Sequence, residues 1–184
     1  HEDAVLPDLL PVLLDLAAAS QLLALFFAMC IAILLDMGMP TTGAYAVAAS
    51  VVAPGLVQLG IPHLTAHFFV FFFAVLSAIT PPVALASYAA AGISGANPME
   101  TSVASFKIGI AAFIVPFMFF YNSALLMDGT MLDILRAGAT AIIGVFFLSS
   151  GVQGWFVGAR SAWFIRSLLI VAALFLISGG LLTD

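Results

Sequence analysis

Long apolar runs separated by short polar breaks make up almost the whole chain. A helix needs about 20 apolar residues to cross a bilayer, and several runs are close to that length. We therefore predict an all-α membrane protein with membrane spans at residues 17–35, 43–59, 101–121, 131–150 and 164–178. Ahead of the first span, residues 6–16 place Asp8 and Asp15 on a leucine-rich stretch, which predicts an interfacial helix.

Residues 65–91 follow a different pattern, because Thr80, Pro81 and Pro82 interrupt an apolar run. Two successive prolines cannot continue a helix. The arms on either side, residues 65–79 and 83–91, are too short to cross a bilayer comfortably, since nine helical residues rise only about 13 Å. We predict a re-entrant hairpin at about residues 64–91, with its tip near the membrane midplane. Irregular backbone at that depth is tolerated only in contact with protein or a watery cavity.

A second break lies at "DMGMPTT", residues 36–42. Gly38 and Pro40 interrupt the helix, and Thr41 and Thr42 supply hydroxyl groups. Asp36 would cost about 2.5–3.5 kcal/mol at the centre of a membrane helix. Two interpretations are open: a polar loop with Asp36 among the lipid headgroups, or a loop that faces the hairpin tip from inside the protein.

The two breaks together offer ligands for a small hard cation. Na⁺ prefers oxygen, and interrupted helices expose carbonyl groups without adding charge. Ser77 and Thr80 are three residues apart, on one face of the incoming arm. Their hydroxyls, with carbonyls released near Pro81, Pro82 and Gly38, predict a cation site. Helix N-termini at the breaks would carry partial positive charge toward an anionic substrate.

Composition supports the membrane interpretation and excludes other classes. The chain of 184 residues is 64% hydrophobic and 7% charged, with a mean hydropathy of +1.26, whereas soluble domains carry about 25% charged residues. The net charge of −5 and the four basic residues form no basic patch, so nucleic acid is not an expected partner. Cys30 is the single cysteine, which excludes an internal disulfide and a thiolate metal cluster. Because the chain opens on His1, we expect it to be a piece of a longer polypeptide.

An enzymatic alternative comes from "GISG", residues 92–95, since a serine in this setting is also found in rhomboid intramembrane proteases. A serine nucleophile needs a base, and the rhomboid pattern places a histidine on a later span. No histidine follows His67. We therefore expect no enzymatic activity, and we interpret Ser94 as a turn residue where the hairpin ends.

Three segments resemble a known family. "DMGMPTTGAY", "SAITPPVALASYAAAGISGANPMETSVASFKIG" and "FIVPFMFFYNSALL" resemble the fused permease of TRAP transporters. These are the tripartite, ATP-independent, binding-protein-dependent transporters of bacteria and archaea. The similarity is closest to the fused form associated with TAXI-type binding proteins. It covers about residues 22–126, and residues 127–184 resemble the extra C-terminal spans of that form.

The resemblance implies an architecture of two inverted repeats, each with a re-entrant hairpin and a broken helix. Residues 1–126 would be the second repeat, and residues 127–184 accessory transmembrane helices. The implied function is import of an organic carboxylate by an elevator motion, with Na⁺ as coupling ion and no organic cofactor. Implied partners are a periplasmic substrate-binding protein, the N-terminal half of the permease with small-subunit-like helices, and membrane lipid. The implied location is the bacterial or archaeal cytoplasmic membrane, with several spans.

The resemblance also implies site residues. Na⁺ would bind Gly38, Ser77, Thr80 and the carbonyl of Val83. Substrate would contact Thr80, Pro81, Pro82, Thr41 and Thr42. The family often has glycine where this chain has Ser77, Ala84 and Asp36, so Asp36 introduces a charge beside the implied site. The alternative to a carrier is an accessory membrane subunit without an ion site.

Overall fold

The computed structural model describes residues 20–177, which form helices joined by short turns and one small β-hairpin. The all-α prediction is confirmed apart from this hairpin. The predicted interfacial helix at residues 6–16 lies outside the described residues, as do residues 17–19 and 178 of the predicted spans. In chain order the helices are α1 (Gln21–Asp36), α2 (Thr41–Gln58), α3 (His63–Ser77), α4 (Leu85–Ser94), α5 (Pro98–Gly109), α6 (Val115–Tyr121), α7 (Met131–Gln153) and α8 (Trp163–Ile177).

The described residues divide into two compact units, and the boundary in the chain falls between Val103 and Ala104, within α5. We call residues 20–103 the first unit and residues 104–177 the second unit. The predicted division after residue 126 concerns a repeat relationship, which compactness does not test. It stays a prediction.

Helices α1, α2 and α3 pack against one another in the first unit. Alanines at helical spacing allow this, because small side chains let two helix backbones approach closely. Phe69 and Phe73 of α3 are fully buried and pack edge to face, with ring centroids 4.9 Å apart. The fully buried alanines of α1 and α2 are Ala24, Ala28, Ala32, Ala44, Ala48 and Ala53.

In the second unit, α7 and α8 form a tightly packed antiparallel pair. Gly151 marks the close approach: a Cβ atom there would lie 2.8 Å from Cγ1 of Ile170 and 3.0 Å from the carbonyl oxygen of Arg166. The Arg166 guanidinium donates to the carbonyls of Gly151 and Val152, at 2.9 and 2.8 Å. A cation at a helix C-terminus satisfies carbonyls that have no partner within the helix and complements the helix dipole.

The span predicted at residues 101–121 is interrupted, as Pro116 requires. Helix α5 gives way to a 3₁₀ segment, Ile110–Phe113, before α6 begins. Proline lacks an N–H and its ring clashes with the carbonyl four residues earlier, which here is Ala112. The irregular turn therefore lies on the N-terminal side of the proline.

Among residues 20–177, two segments are long and apolar enough to cross a membrane by length and composition: Pro98–Tyr121 and Met131–Gln153. Helices α1, α3, α4 and α8 are apolar but shorter. Helix α7 also exposes large apolar side chains, including Leu135, Ile142 and Phe146. Such a surface needs lipid or protein around it rather than water.

Several element boundaries differ from the predictions. Helix α4 continues through Ser94, past the predicted end at residue 91, and stops at Gly95, whose φ of +71° is left-handed. Ser94 is thus the last residue of a helix and not part of the turn. A β-hairpin, β1 (Trp155–Phe156) with β2 (Ala159–Arg160), replaces part of the predicted loop. Its bend has positive φ at Val157 and Gly158.

Candidate cation site

The first break follows directly from the residues between α1 and α2. Helix α1 ends at Asp36, and Gly38 has a φ of +84°, a conformation that favours glycine. Pro40 then has no N–H to donate, and α2 begins at Thr41. Residues 37–40 therefore form a short non-helical loop, as the sequence predicted.

The second break separates α3 from α4 at residues 78–84. The peptide bond between Pro81 and Pro82 is cis. One backbone hydrogen bond, from the N–H of Ala86 to the carbonyl of Ala78 at 3.0 Å, ties the two arms together. The hydroxyl of Tyr88 on α4 donates to the carbonyl of Pro82. The predicted interruption at Thr-Pro-Pro is confirmed as a helix–break–helix.

The structure brings the two breaks together. The hydroxyl oxygen of Ser77 lies 3.5 Å from the carbonyl oxygen of Asp36, although its firm hydrogen bond is to the carbonyl of Ala74 at 2.7 Å. A Cβ atom on Gly38 would lie 3.5 Å from Cγ1 of Val83. Gly38, Ser77 and Val83, predicted as sodium ligands from distant parts of the sequence, are therefore neighbours.

The other predicted residues lie in the two breaks or next to them along the chain. The hydroxyl of Thr80 is partly buried and donates to the carbonyl of Leu76 at 2.7 Å. Because that bond uses the proton, the oxygen keeps lone pairs for a ligand. Pro81 is half-buried and Pro82 exposed at the tip of the break, and Thr41 and Thr42 are exposed in the first turn of α2. Their contact with a substrate stays a prediction.

The sequence left open whether Asp36 lies at a solvated loop surface or inside the protein. Its side chain is 1% exposed, so it does not lie at a solvated loop surface within the described residues. Both carboxyl oxygens are buried and have no hydrogen-bond partner among residues 20–177. The hydroxyl of Ser87, at 2% exposure on the first turn of α4, shares this condition. Ser87 was missed by sequence reasoning, because a serine in a run of small residues carries no distinctive signal.

The remaining candidate residues, His67 and Ser94, make hydrogen bonds that stabilise the helices. Nδ1 of His67 lies 3.0 Å from the hydroxyl of Tyr45, which joins α3 to α2. No group of three or more His, Cys, Asp or Glu able to hold a metal is found among residues 20–177. The Ser94 hydroxyl bonds to the carbonyls of Ala90 and Ala91 in its own helix.

A comparison with known protein families identifies the chain. Residues 5–134 match the family described as the tripartite ATP-independent periplasmic transporter, DctM component. Neither the curated proteins nor the solved structures that were searched contain a significant match. The matched residues include both breaks and helices α1 to α6. The family is one of membrane transporters and not of enzymes. The chain therefore belongs to the DctM family, the large membrane component of TRAP transporters.

Proposed function

We propose that this chain is part of the permease of a Na⁺-coupled TRAP transporter that imports an organic carboxylate. The observation that carries the proposal is the contact between the two helix breaks in the first unit. Ser77 lies against the end of α1, and Gly38 lies beside Val83. Paired interruptions in an apolar bundle are the arrangement with which secondary transporters bind ions.

The chemistry of the break suits Na⁺, which here is a transported ion. The hydroxyl protons of Ser77 and Thr80 are donated to carbonyls of α3, so the oxygen lone pairs remain available. The carbonyl of Val83 lies outside both helices, in the non-helical segment. These oxygens, with backbone at Gly38, form the proposed sodium cage.

The substrate would bind to the break formed by Thr80, Pro81 and Pro82 and to Thr41 and Thr42 at the start of α2. The N-terminal turns of α2 and α4 leave backbone N–H groups without helical partners. Such groups, together with the helix dipole, favour an anion. A carboxylate is therefore the substrate class that this chemistry supports.

The membrane arrangement is proposed from helix length. Helix α3 has 15 residues and α4 has 10, which gives rises of about 22 and 15 Å. Both fall short of the roughly 30 Å of hydrocarbon, so a re-entrant hairpin that enters and leaves on one face fits them. We further propose that this hairpin moves with the transport domain in an elevator mechanism. The setting would be a multi-pass protein of the cytoplasmic membrane, in a fused TAXI-type permease.

The partners belong to the same proposal. TRAP transporters work with a periplasmic substrate-binding protein, and we propose that such a protein delivers the carboxylate. We propose one re-entrant hairpin in the first unit, whereas the resemblance implies two repeats with one hairpin each. The remaining permease helices would supply the other half of the substrate site.

The test is uptake by the complete transporter in proteoliposomes with its binding protein. Thr80→Ala removes one oxygen ligand, and we expect the half-saturating Na⁺ concentration to rise by about tenfold, the equivalent of one lost interaction of about 1.4 kcal/mol. Thr140→Ala is the matched control. The Thr140 hydroxyl also bonds a carbonyl four residues earlier, that of Arg136, at 3.0 Å. Equal sodium dependence in both variants and the wild type would favour an accessory subunit without an ion site.

A further inference from the structure

The carboxyl group of Asp36 has no partner that accounts for its burial. It is 1% exposed, and neither oxygen accepts a hydrogen bond from residues 20–177. Transfer of an ionised carboxylate out of water is strongly unfavourable unless the charge is paired or coordinates a metal. A buried acid of this kind is therefore either protonated or paired with a cation.

The chain offers few cationic groups near Asp36 in sequence. Its lysine and arginines are Lys107, Arg136, Arg160 and Arg166, so residues 1–103 contain neither residue type. The histidines are His1, His63 and His67. His1 lies outside the described residues, His63 is exposed at the start of α3, and His67 is bonded to Tyr45. Within the described first unit, no arginine or lysine is present to neutralise Asp36.

The position of Asp36 indicates where the missing cation would lie. Asp36 is the last residue of α1, and its carbonyl oxygen is 3.5 Å from the hydroxyl of Ser77 at the end of α3. The other buried side chain without a partner is that of Ser87, in the first turn of α4, which follows the break after α3. Among residues 20–177, the buried side-chain oxygens that lack partners therefore belong to the helices flanking the two breaks.

We propose that the carboxylate of Asp36 is an anionic ligand of the Na⁺ bound at the break between α3 and α4. This inference rests on the proposed function and adds a charge to its site. The hydroxyl and carbonyl oxygens of the cage are neutral. With the carboxylate of Asp36 added, the site has a charge of −1 when empty and is neutral when one Na⁺ is bound. Binding of the ion then removes an uncompensated buried charge as well as filling the cage.

The test is thermal unfolding of the purified complete transporter, measured in NaCl and in choline chloride of equal ionic strength. Asp36→Asn keeps the shape of the side chain and removes its charge. In choline chloride we expect this variant to unfold at the same temperature as the wild type or higher, because the unpaired charge is gone. We expect Na⁺ to raise the unfolding temperature of the wild type and to raise that of the variant much less. The half-saturating Na⁺ concentration should increase at least about tenfold, as for loss of a charged ligand.

The matched control is Asp133→Asn, the same substitution at an exposed acid that caps α7. It should lower the unfolding temperature by the same amount in both salts and leave the half-saturating Na⁺ concentration unchanged. Asp36→Ala gives a second measurement of the same quantities if the amide prevents folding.

The outcomes separate the two proposals. If Asp36→Asn lowers the unfolding temperature equally in both salts and binds Na⁺ like the wild type, Asp36 is a structural residue and the inference is wrong. If the wild type itself shows neither Na⁺-dependent stabilisation nor Na⁺-dependent uptake, the proposed sodium coupling is wrong, and the role of Asp36 as a sodium ligand is wrong with it. If Na⁺ stabilises the wild type but not Asp36→Asn, both proposals are supported.

Discussion

The two units differ in whether the polar groups near their helix ends have hydrogen-bond partners. In the described residues of the second unit, polar groups at helix ends have partners: Thr130 and Asp133 cap the start of α7, and Arg166 bonds the carbonyls at its end. In the first unit, Asp36 and Ser87 are buried without partners beside interrupted helices. Apolar packing stabilises each unit by itself. Polar groups bond to the helix ends in the second unit, whereas Asp36 and Ser87 in the first unit make no such bonds. A site for an ion is expected where polar groups lack internal partners.

The largest effect on stability is expected in the second unit, from Gly151→Leu. A Cβ atom at position 151 already approaches Ile170 and the backbone of Arg166 to 3.0 Å or less, so a larger side chain must separate α7 from α8. Overpacking of this kind costs about 1–3 kcal/mol or more. We expect a clear drop in unfolding temperature, measured on the purified transporter, with the response to Na⁺ preserved.

Gly138→Ala is the control, since nothing lies within 4 Å of a Cβ atom at that position of α7. Replacing a helical glycine with alanine should stabilise by about 0.5–1 kcal/mol. Equal stability of Gly151→Leu and the wild type would contradict the close helix contact.

A smaller effect on stability, with a larger one on transport, is expected from Gly38→Ala in the first unit. The φ of +84° makes any side chain unfavourable by about 1–2 kcal/mol. Because Gly38 lies beside Val83, relief of that strain would displace the proposed cage. We expect Na⁺-driven uptake to fall by more than the drop in unfolding temperature alone would explain.

Gly43→Ala is its control, because no atom lies within 4 Å of a Cβ atom there and Gly43 is in the helix. Uptake should remain close to that of the wild type. If both glycine variants transported equally well, the loop at Gly38 would have no part in ion binding.

The smallest effect is expected from Thr130→Ala, which removes the N-cap of α7. The Thr130 hydroxyl accepts from the N–H of Asp133, and the Asp133 carboxylate accepts from the N–H of Thr130, each at 3.3 Å. Loss of such a cap typically costs about 1 kcal/mol. We expect a small drop in unfolding temperature in differential scanning fluorimetry and an unchanged half-saturating Na⁺ concentration. A change in sodium response would show that the second unit contributes to the ion site.

Features determined by local chemistry were predictable from the sequence. Pro81 and Pro82 must interrupt a helix wherever they occur, Pro116 must disturb the turn before it, and Thr130 with Asp133 forms a cap within four residues. The break at Pro81 and Pro82 lies where it was expected. Even the adjacency of Gly38, Ser77 and Val83 came from the resemblance combined with such local breaks.

Features that depend on packing between distant segments were not predictable. Burial of Asp36 requires α3 to lie against the end of α1, which nothing near residue 36 encodes. The β-hairpin at Trp155–Phe156 and Ala159–Arg160 was missed because Val157 adopts a positive φ, which valine rarely does. The extension of α4 to Ser94 was missed because glycine at residue 92 suggested an earlier end.

The absence of lysine and arginine from residues 1–103 also bears on how the chain enters the bilayer. Helix orientation follows the bias of basic residues toward cytoplasmic loops. The turns between α1 and α4 carry no such signal, so within this chain the topological information resides in Lys107, Arg136, Arg160 and Arg166. The segment that carries the proposed ion site therefore contains no basic residues of its own to set its orientation in the membrane.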